Sequence, residues 1–240
     1  MALHFFLPSL ASVLITFLCL RWRSRKELHG QCAANLQPVS LSNAGKLALS
    51  GLLFASAALI VSSALGLSLG APTCAAAICA MAVVSWRDRG IASRVAKGVS
   101  WSVMPLVAGL FVIVEALQNA GLLRLGLGGL QVLTHVSTQA AKVTASSAVA
   151  LLSNGMNNLP VGLMAGAAIR HAQETGIVAH ALLIGVDLGP NLSVTGSLAT
   201  ILWLIALRRE KVEITAWEFF KVGIVVMPLA LVASILALHK

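Results

Sequence analysis

Polar residues punctuate this chain rather than alternate with apolar ones. Leu3–Leu20 carries no Asp, Glu, Lys or Arg, and neither does the 40-residue stretch Leu47–Trp86. An α-helix needs roughly 20 apolar residues to cross a bilayer. The first run therefore predicts one span. The second, with Gly66, Gly70 and Pro72 near its middle, predicts two spans joined by a tight turn. Trp101–Leu117 predicts a fourth, with Glu115 at its outer end. Residues 125–141 hold three glycines, two glutamines and His135, and are read as an interfacial segment. Val143–Ile169 is uncharged but interrupted by Ser153-Asn154-Gly155-Met156-Asn157-Asn158-Leu159-Pro160. Ile177–Leu207 is interrupted in turn at Asp187-Leu188-Gly189-Pro190-Asn191, with Thr195-Gly196-Ser197 just beyond. Trp217–Leu238 is the last span, Trp217 acting as an interfacial anchor.

Composition strengthens this reading. The chain has 240 residues, 58% hydrophobic and 10% charged, with a mean hydropathy of +0.90. Soluble domains average about 25% charged residues, so a soluble enzyme is excluded and an all-α integral membrane protein is expected. The net charge of +9 suggests nucleic acid until the charges are located. They cluster between the apolar runs, as cytoplasmic loops require. With Val143–Ile169 drawn as a hairpin that enters and leaves on one side, 13 of the 17 Lys and Arg residues share the face of Arg21. The expected topology is thus six crossings plus a re-entrant hairpin opening outward, about residues 139–170, and a broken helix, about residues 177–207, in one membrane domain over residues 1–240. Both termini lie outside. An outside N-terminus on a first helix is unusual and leads us to expect a further segment upstream. Cys19, Cys32, Cys74 and Cys79 make no disulfide framework, and no metal-ligand spacing or cofactor motif is present.

The two interruptions carry the candidate chemistry. Non-helical backbone at membrane depth is tolerated only where it is buried in protein or lines a wet cavity, and paired breaks point to transporter sites. The expected substrate- or ion-binding residues are Ser153, Asn154, Asn157, Asn158, Asp187, Asn191, Thr195 and Ser197, with Ser193 and Thr200 nearby. Such a lining can hydrogen-bond a small hydroxylated solute or coordinate Na⁺, and the same side chains can equally glue helices together. Asp187 is the acid inside the second break, and an intramembrane carboxylate is a functional hypothesis by default. His180 lies two turns away on the same helix face, which makes a proton relay to Asp187 a candidate beside a plain packing role. Gly66-Leu67-Ser68-Leu69-Gly70 matches a nucleophile elbow but ends a membrane span, out of its required context.

The Ser153–Pro160 and Asp187–Pro190 motifs, followed by Gly196-Ser197-Leu198-Ala199-Thr200-Ile201-Leu202-Trp203, resemble the arsenite efflux permeases (ArsB-type, the membrane subunit of the arsenical pump) within the larger ion-transporter superfamily. The match is to the C-terminal half of such a permease. The resemblance implies two inverted repeats, each with a hairpin and a broken helix, in an inner membrane. It implies export of arsenite or antimonite by proton antiport, with a soluble ATPase subunit, a separate N-terminal half and a homodimer as expected partners. Family members often carry Lys at Asn191, Pro at Val194 and Cys at Val186. A Na⁺/H⁺ or carboxylate transporter of the same superfamily and an inactive permease remnant are the alternatives.

Overall fold

The computed structural model describes residues 2–25, 43–87, 90–99, 101–121, 128, 137–172 and 176–238. Most of the 125–141 segment lies outside them, as do Lys26 and Cys32. Among the described residues the secondary structure is helical, as the apolar runs predict: α1 (Ala2–Arg23), α2 (Asn43–Ala64), α3 (Gly70–Arg87), α4 (Ile91–Gly98), α5 (Val103–Asn119), α6 (Thr138–Met156), α7 (Asn158–Ala172), α8 (Ile177–Leu188), α9 (Leu198–Arg209) and α10 (Ala216–Ala237). Two 3₁₀ turns, Gly189–Leu192 and Val194–Gly196, lie between α8 and α9. By length and composition α1, α2 and α10 are each able to cross a membrane, and α3, α5 and α8 are shorter apolar helices.

The chain forms two compact units, one of Cys32–Val103 and one of Met1–Gln31 with Met104–Lys240. In the first, α2 packs on α3. The turn after α2 closes with Leu67 N–H on the Ser62 carbonyl and Gly66 N–H on the Ser63 carbonyl. Gly66 supplies the φ of +68° that this helix ending demands. Part of the basic stretch after α3, expected as a loop, is the short helix α4.

The second unit holds both interruptions. The α1 helix lies along α10 with its N-terminal end beside the C-terminal end of α10, where Ser234 Oγ donates to the Pro8 carbonyl at 3.0 Å. Thr215 and Glu218 form a reciprocal capping box that starts α10. The α6 and α7 helices pack on each other as a helical hairpin, and α8 packs against α6. The α6–α8 seam is built from small residues. A Cβ on Gly185 would collide with the Ser146 backbone, and one on Gly189 would stand 2.5 Å from Ala150 Cα. Both contacts advance by four residues, so the helices run parallel. Close backbone approach of this kind is how helices associate where lipid removes the hydrophobic drive. Around the seam pack Ala141, Ala145, Val149, Val161, Ala165, Val178 and Leu182.

Lys142 sits inside α6. It is 4% exposed, and its Nζ donates to the Ile235 carbonyl at 3.1 Å. A cation at a helix C-terminus also meets the negative end of the helix dipole, so Lys142 ties the start of the hairpin to the end of α10.

Candidate functional site

The first interruption is narrower than its sequence suggests. Helix continues through Ser153, Asn154, Gly155 and Met156, and resumes at Asn158. Pro160 falls in the first turn of α7, where a missing N–H costs nothing. Only Asn157 leaves helical geometry, at φ 74° and ψ 150°, a region that costs a non-glycine residue about 1–3 kcal/mol. Its side chain offsets that strain. Oδ1 accepts from Leu159 N–H at 3.3 Å, and Nδ2 donates to the Thr195 carbonyl at 3.1 Å.

The second interruption follows from Pro190. Proline has no N–H to give the Val186 carbonyl, so α8 ends at Leu188 and the chain tightens into the 3₁₀ turn. Ser193 and Ser197 then adopt extended backbone, at φ −140° and −141°. The Ser197 hydroxyl accepts from Ala199 N–H at 3.1 Å and so caps α9. Gly223 of α10 lies against this turn, and a Cβ there would stand 2.6 Å from the Leu192 carbonyl oxygen.

Side chains from the hairpin tip close the gaps that this break leaves. Asn154 Nδ2 donates to two carbonyls, Ala150 on its own helix at 2.8 Å and Gly189 on the break at 2.9 Å. Its Oδ1 accepts the Ser193 hydroxyl at 2.7 Å. The Ser193 and Thr195 hydroxyls are 3.2 Å apart, and Thr195 Oγ1 donates to the Asn154 carbonyl at 2.9 Å. Helix breaks normally leave backbone groups unpaired. Here two asparagines and a threonine bond backbone carbonyls, Ser193 bonds the side chains of Asn154 and Thr195, and the hairpin tip and broken helix are locked together as one polar web.

The residues singled out from sequence therefore divide into four sets. Asn154, Asn157, Thr195 and Ser193 are brought together as the web. Ser153 is fully buried and bonds its own helix, Oγ to the Val149 carbonyl at 2.9 Å, while Ser197 caps α9. Asn191 is exposed on the turn. Asp187 and Asn158 line a cavity of about 450 Å³. Asp187 is exposed, and no hydrogen bond or ion pair ties its carboxylate among the described residues. It stands in the last turn of α8, just ahead of the break rather than in it.

His180 is not bonded to Asp187. Its ring stacks on His4 with centroids 5.4 Å apart and meets the edge of Phe5 at 5.1 Å, which puts it at the N-terminal end of α1. Reading the sequence alone passed over Ser9, Ser12 and Ser234, which line the same cavity as Asp187. Three-residue spacing of serines beside Pro8 on an otherwise apolar helix was the available signal.

A profile of the arsenical pump membrane proteins (ArsB) matches residues 1–239. An arsenical pump membrane protein of Escherichia coli is 35% identical over 178 residues, covering 71% of this chain and 42% of that relative. The arsenical pump membrane protein of Yersinia enterocolitica is 32% identical over 149 residues, 60% of this chain and 35% of the relative. A 46 kDa membrane protein of Mycobacterium leprae is 29% identical over 137 residues, 54% of this chain and 32% of the relative. No solved structure matches the chain. The chain thus spans less than half the length of the relatives that it matches, yet it is matched nearly end to end by the profile and shares a third of its residues with pump proteins across most of its length. It is a membrane protein of the arsenical pump family.

Proposed function

We propose that this chain forms one repeat of a permease that exports arsenite or antimonite in exchange for protons, with Asp187 as the coupling acid. The observation that carries the reading is the carboxylate of Asp187, which has no hydrogen-bond or ion-pair partner among the described residues, beside a helix break that the web braces. An intramembrane acid is costly unless it does something. Asp187 is also free to exchange a proton without first breaking a bond within the described structure. The printed names of the relatives supply the arsenical cargo. At neutral pH arsenite is an uncharged hydroxylated solute, matched by the exposed amide of Asn191 and the hydroxyl of Thr195 on the same break. A facing second repeat completes the site in this reading, with about residues 139–170 as the hairpin and about 177–207 as the broken helix. A soluble ATPase and self-association into a dimer are further parts of it, each testable by co-purification.

The test is arsenite accumulation in everted membrane vesicles, with and without a co-expressed N-terminal permease half. Uptake is expected to collapse with a protonophore and in Asp187→Asn, with the variant present in the membrane at the wild-type level. Full uptake by Asp187→Asn would remove Asp187 from the mechanism. No uptake under either condition, with insertion shown, would remove the arsenite reading.

A further inference from the structure

The cavity beside Asp187 lies on the other side of α8 from the web. Its walls are Phe5, Pro8, Ser9 and Ser12 of α1, Leu183 to Leu188 on α8, Asn158 at the hairpin tip, and Ser234 of α10. Both α1 and α8 bear on the C-terminal end of α10, since Phe5, Ile184, Ile235 and Leu238 share one cluster. The recess remains between them. At about 450 Å³ it has room for on the order of ten water molecules. Its polar groups follow a line. Outside its lining, beyond Phe5, His4 and His180 stack on each other, with the edge of Phe5 against the His180 ring. Descending α8 from His180 to Asp187 covers seven residues, about 10 Å. Descending α1 from His4 to Ser12 covers eight, about 12 Å. Ser9 therefore stands at a level between the histidines and the carboxylate, and Ser12 stands about level with the carboxylate. The Ser12 hydroxyl donates to the Ser9 carbonyl at 2.8 Å and keeps its oxygen lone pairs open to the recess.

We infer that this recess is a hydrated proton-loading path to Asp187, lined by Ser9 and Ser12, and separate from the Asn191–Thr195 side on which cargo binds. The inference rests on the coupling role proposed above for Asp187. Two paths on opposite faces of one helix give an exchanger what it needs, because proton and cargo reach a shared hinge without competing for the same space. Among the described residues the recess lining holds one ionisable group, Asp187. Among the described residues the ionisable groups toward its histidine end include His4, His180 and Lys142, the last bonded to the Ile235 carbonyl, and the N-terminal amino group also acts on His180. Arg21 and Arg23 of α1 and Glu218 and Lys221 of α10 lie at the opposite ends of those helices. With most Lys and Arg on the face of Arg21, the histidine end is the outer one, the side from which protons enter.

The experiment is carbodiimide labelling of the full chain in membranes, using a water-soluble carbodiimide with an amine nucleophile and reading the Asp187 peptide by mass spectrometry. Asp187 is expected to be modified, with Asp187→Asn as the blank. Ser12→Leu, which fills the recess with an apolar side chain, is expected to slow the modification severalfold, whereas Asn191→Leu on the cargo side leaves it unchanged. Should Ser12→Leu fail to accumulate, Ser12→Cys serves. A charged methanethiosulfonate reagent added from the histidine side is expected to react with it and then protect Asp187. Unlabelled Asp187 in the wild type, as when a lipid chain fills the recess, overturns the inference. So does labelling that ignores Ser12 or responds instead to Asn191→Leu. Labelling requires neither arsenite nor transport, so an Asp187→Asn variant that still transports defeats the coupling role by a different readout.

Discussion

Asn154 concentrates the chemistry of the break in one side chain. Its amide donates to carbonyls on two different segments and accepts a hydroxyl from a third. Asn154→Ala removes a donor from the Gly189 carbonyl and the acceptor of the Ser193 hydroxyl in one stroke. The loss of part-buried hydrogen bonds of this kind costs about 1 kcal/mol each, which is expected to appear as a lower midpoint in thermal unfolding in detergent. Asn154→Asp is expected to do no better despite its shape, because a carboxylate has no N–H for either carbonyl; wild-type stability in that variant would contradict the web. Asn157 makes a contrasting case. Asn157→Gly relieves the backbone strain but loses the bond to Thr195, so stability near wild type with impaired transport is expected. Asn157→Val, β-branched at positive φ, is expected to accumulate poorly. The importance of these asparagines was legible in the sequence, since such residues rarely gather at membrane depth. Their bracing role was not. A partner 35 residues away along the chain leaves no local mark, and an asparagine that binds a solute has the same spacing as one that binds a carbonyl.

Helices α6 and α8 meet through Ser146, Ala150, Gly185 and Gly189 with no room for a methyl group. Gly185→Ala forces its Cβ into the Ser146 backbone and must part the two helices. Overpacking costs about 1–3 kcal/mol and sometimes more. Folded yield by fluorescence-detected size exclusion should fall sharply for Gly185→Ala and remain unchanged for Gly155→Ala, whose Cβ would meet nothing within 4 Å. Equal yields would contradict the seam. The elements themselves were the most legible part of the chain, because a bilayer-length apolar run leaves few alternatives. Pro190 likewise announced its break by the bond that it cannot make. The hairpin tip misled in extent. Gly, three Asn and Pro read as a loop of eight residues, whereas Pro160 fits a first helical turn and one residue suffices for the reversal. The small-residue seam went unread since Gly and Ala four apart occur throughout so apolar a sequence, and only the structure says which of them touch.

Taken as a whole, the second unit places two features on either side of α8, a polar web that holds the break shut and a recess that leaves Asp187 open. In this account the proton enters by the recess, neutralises Asp187, and alters the balance that holds the break against the hairpin. The cargo side then responds. Web and carboxylate therefore have separable failures: Asn154→Ala should lower stability and transport together, while Asp187→Asn should keep stability and lose transport. The most direct test follows proton movement itself. Respiring everted vesicles containing this chain, with a complementary permease half where transport requires it, are acidified inside and monitored with a pH-sensitive dye as arsenite is added. The account predicts that arsenite alkalinises the lumen in the wild type and that Asp187→Asn, present at the same level, gives no response. Arsenite accumulation without any change in lumenal pH, or an undiminished pH response in Asp187→Asn, would contradict it.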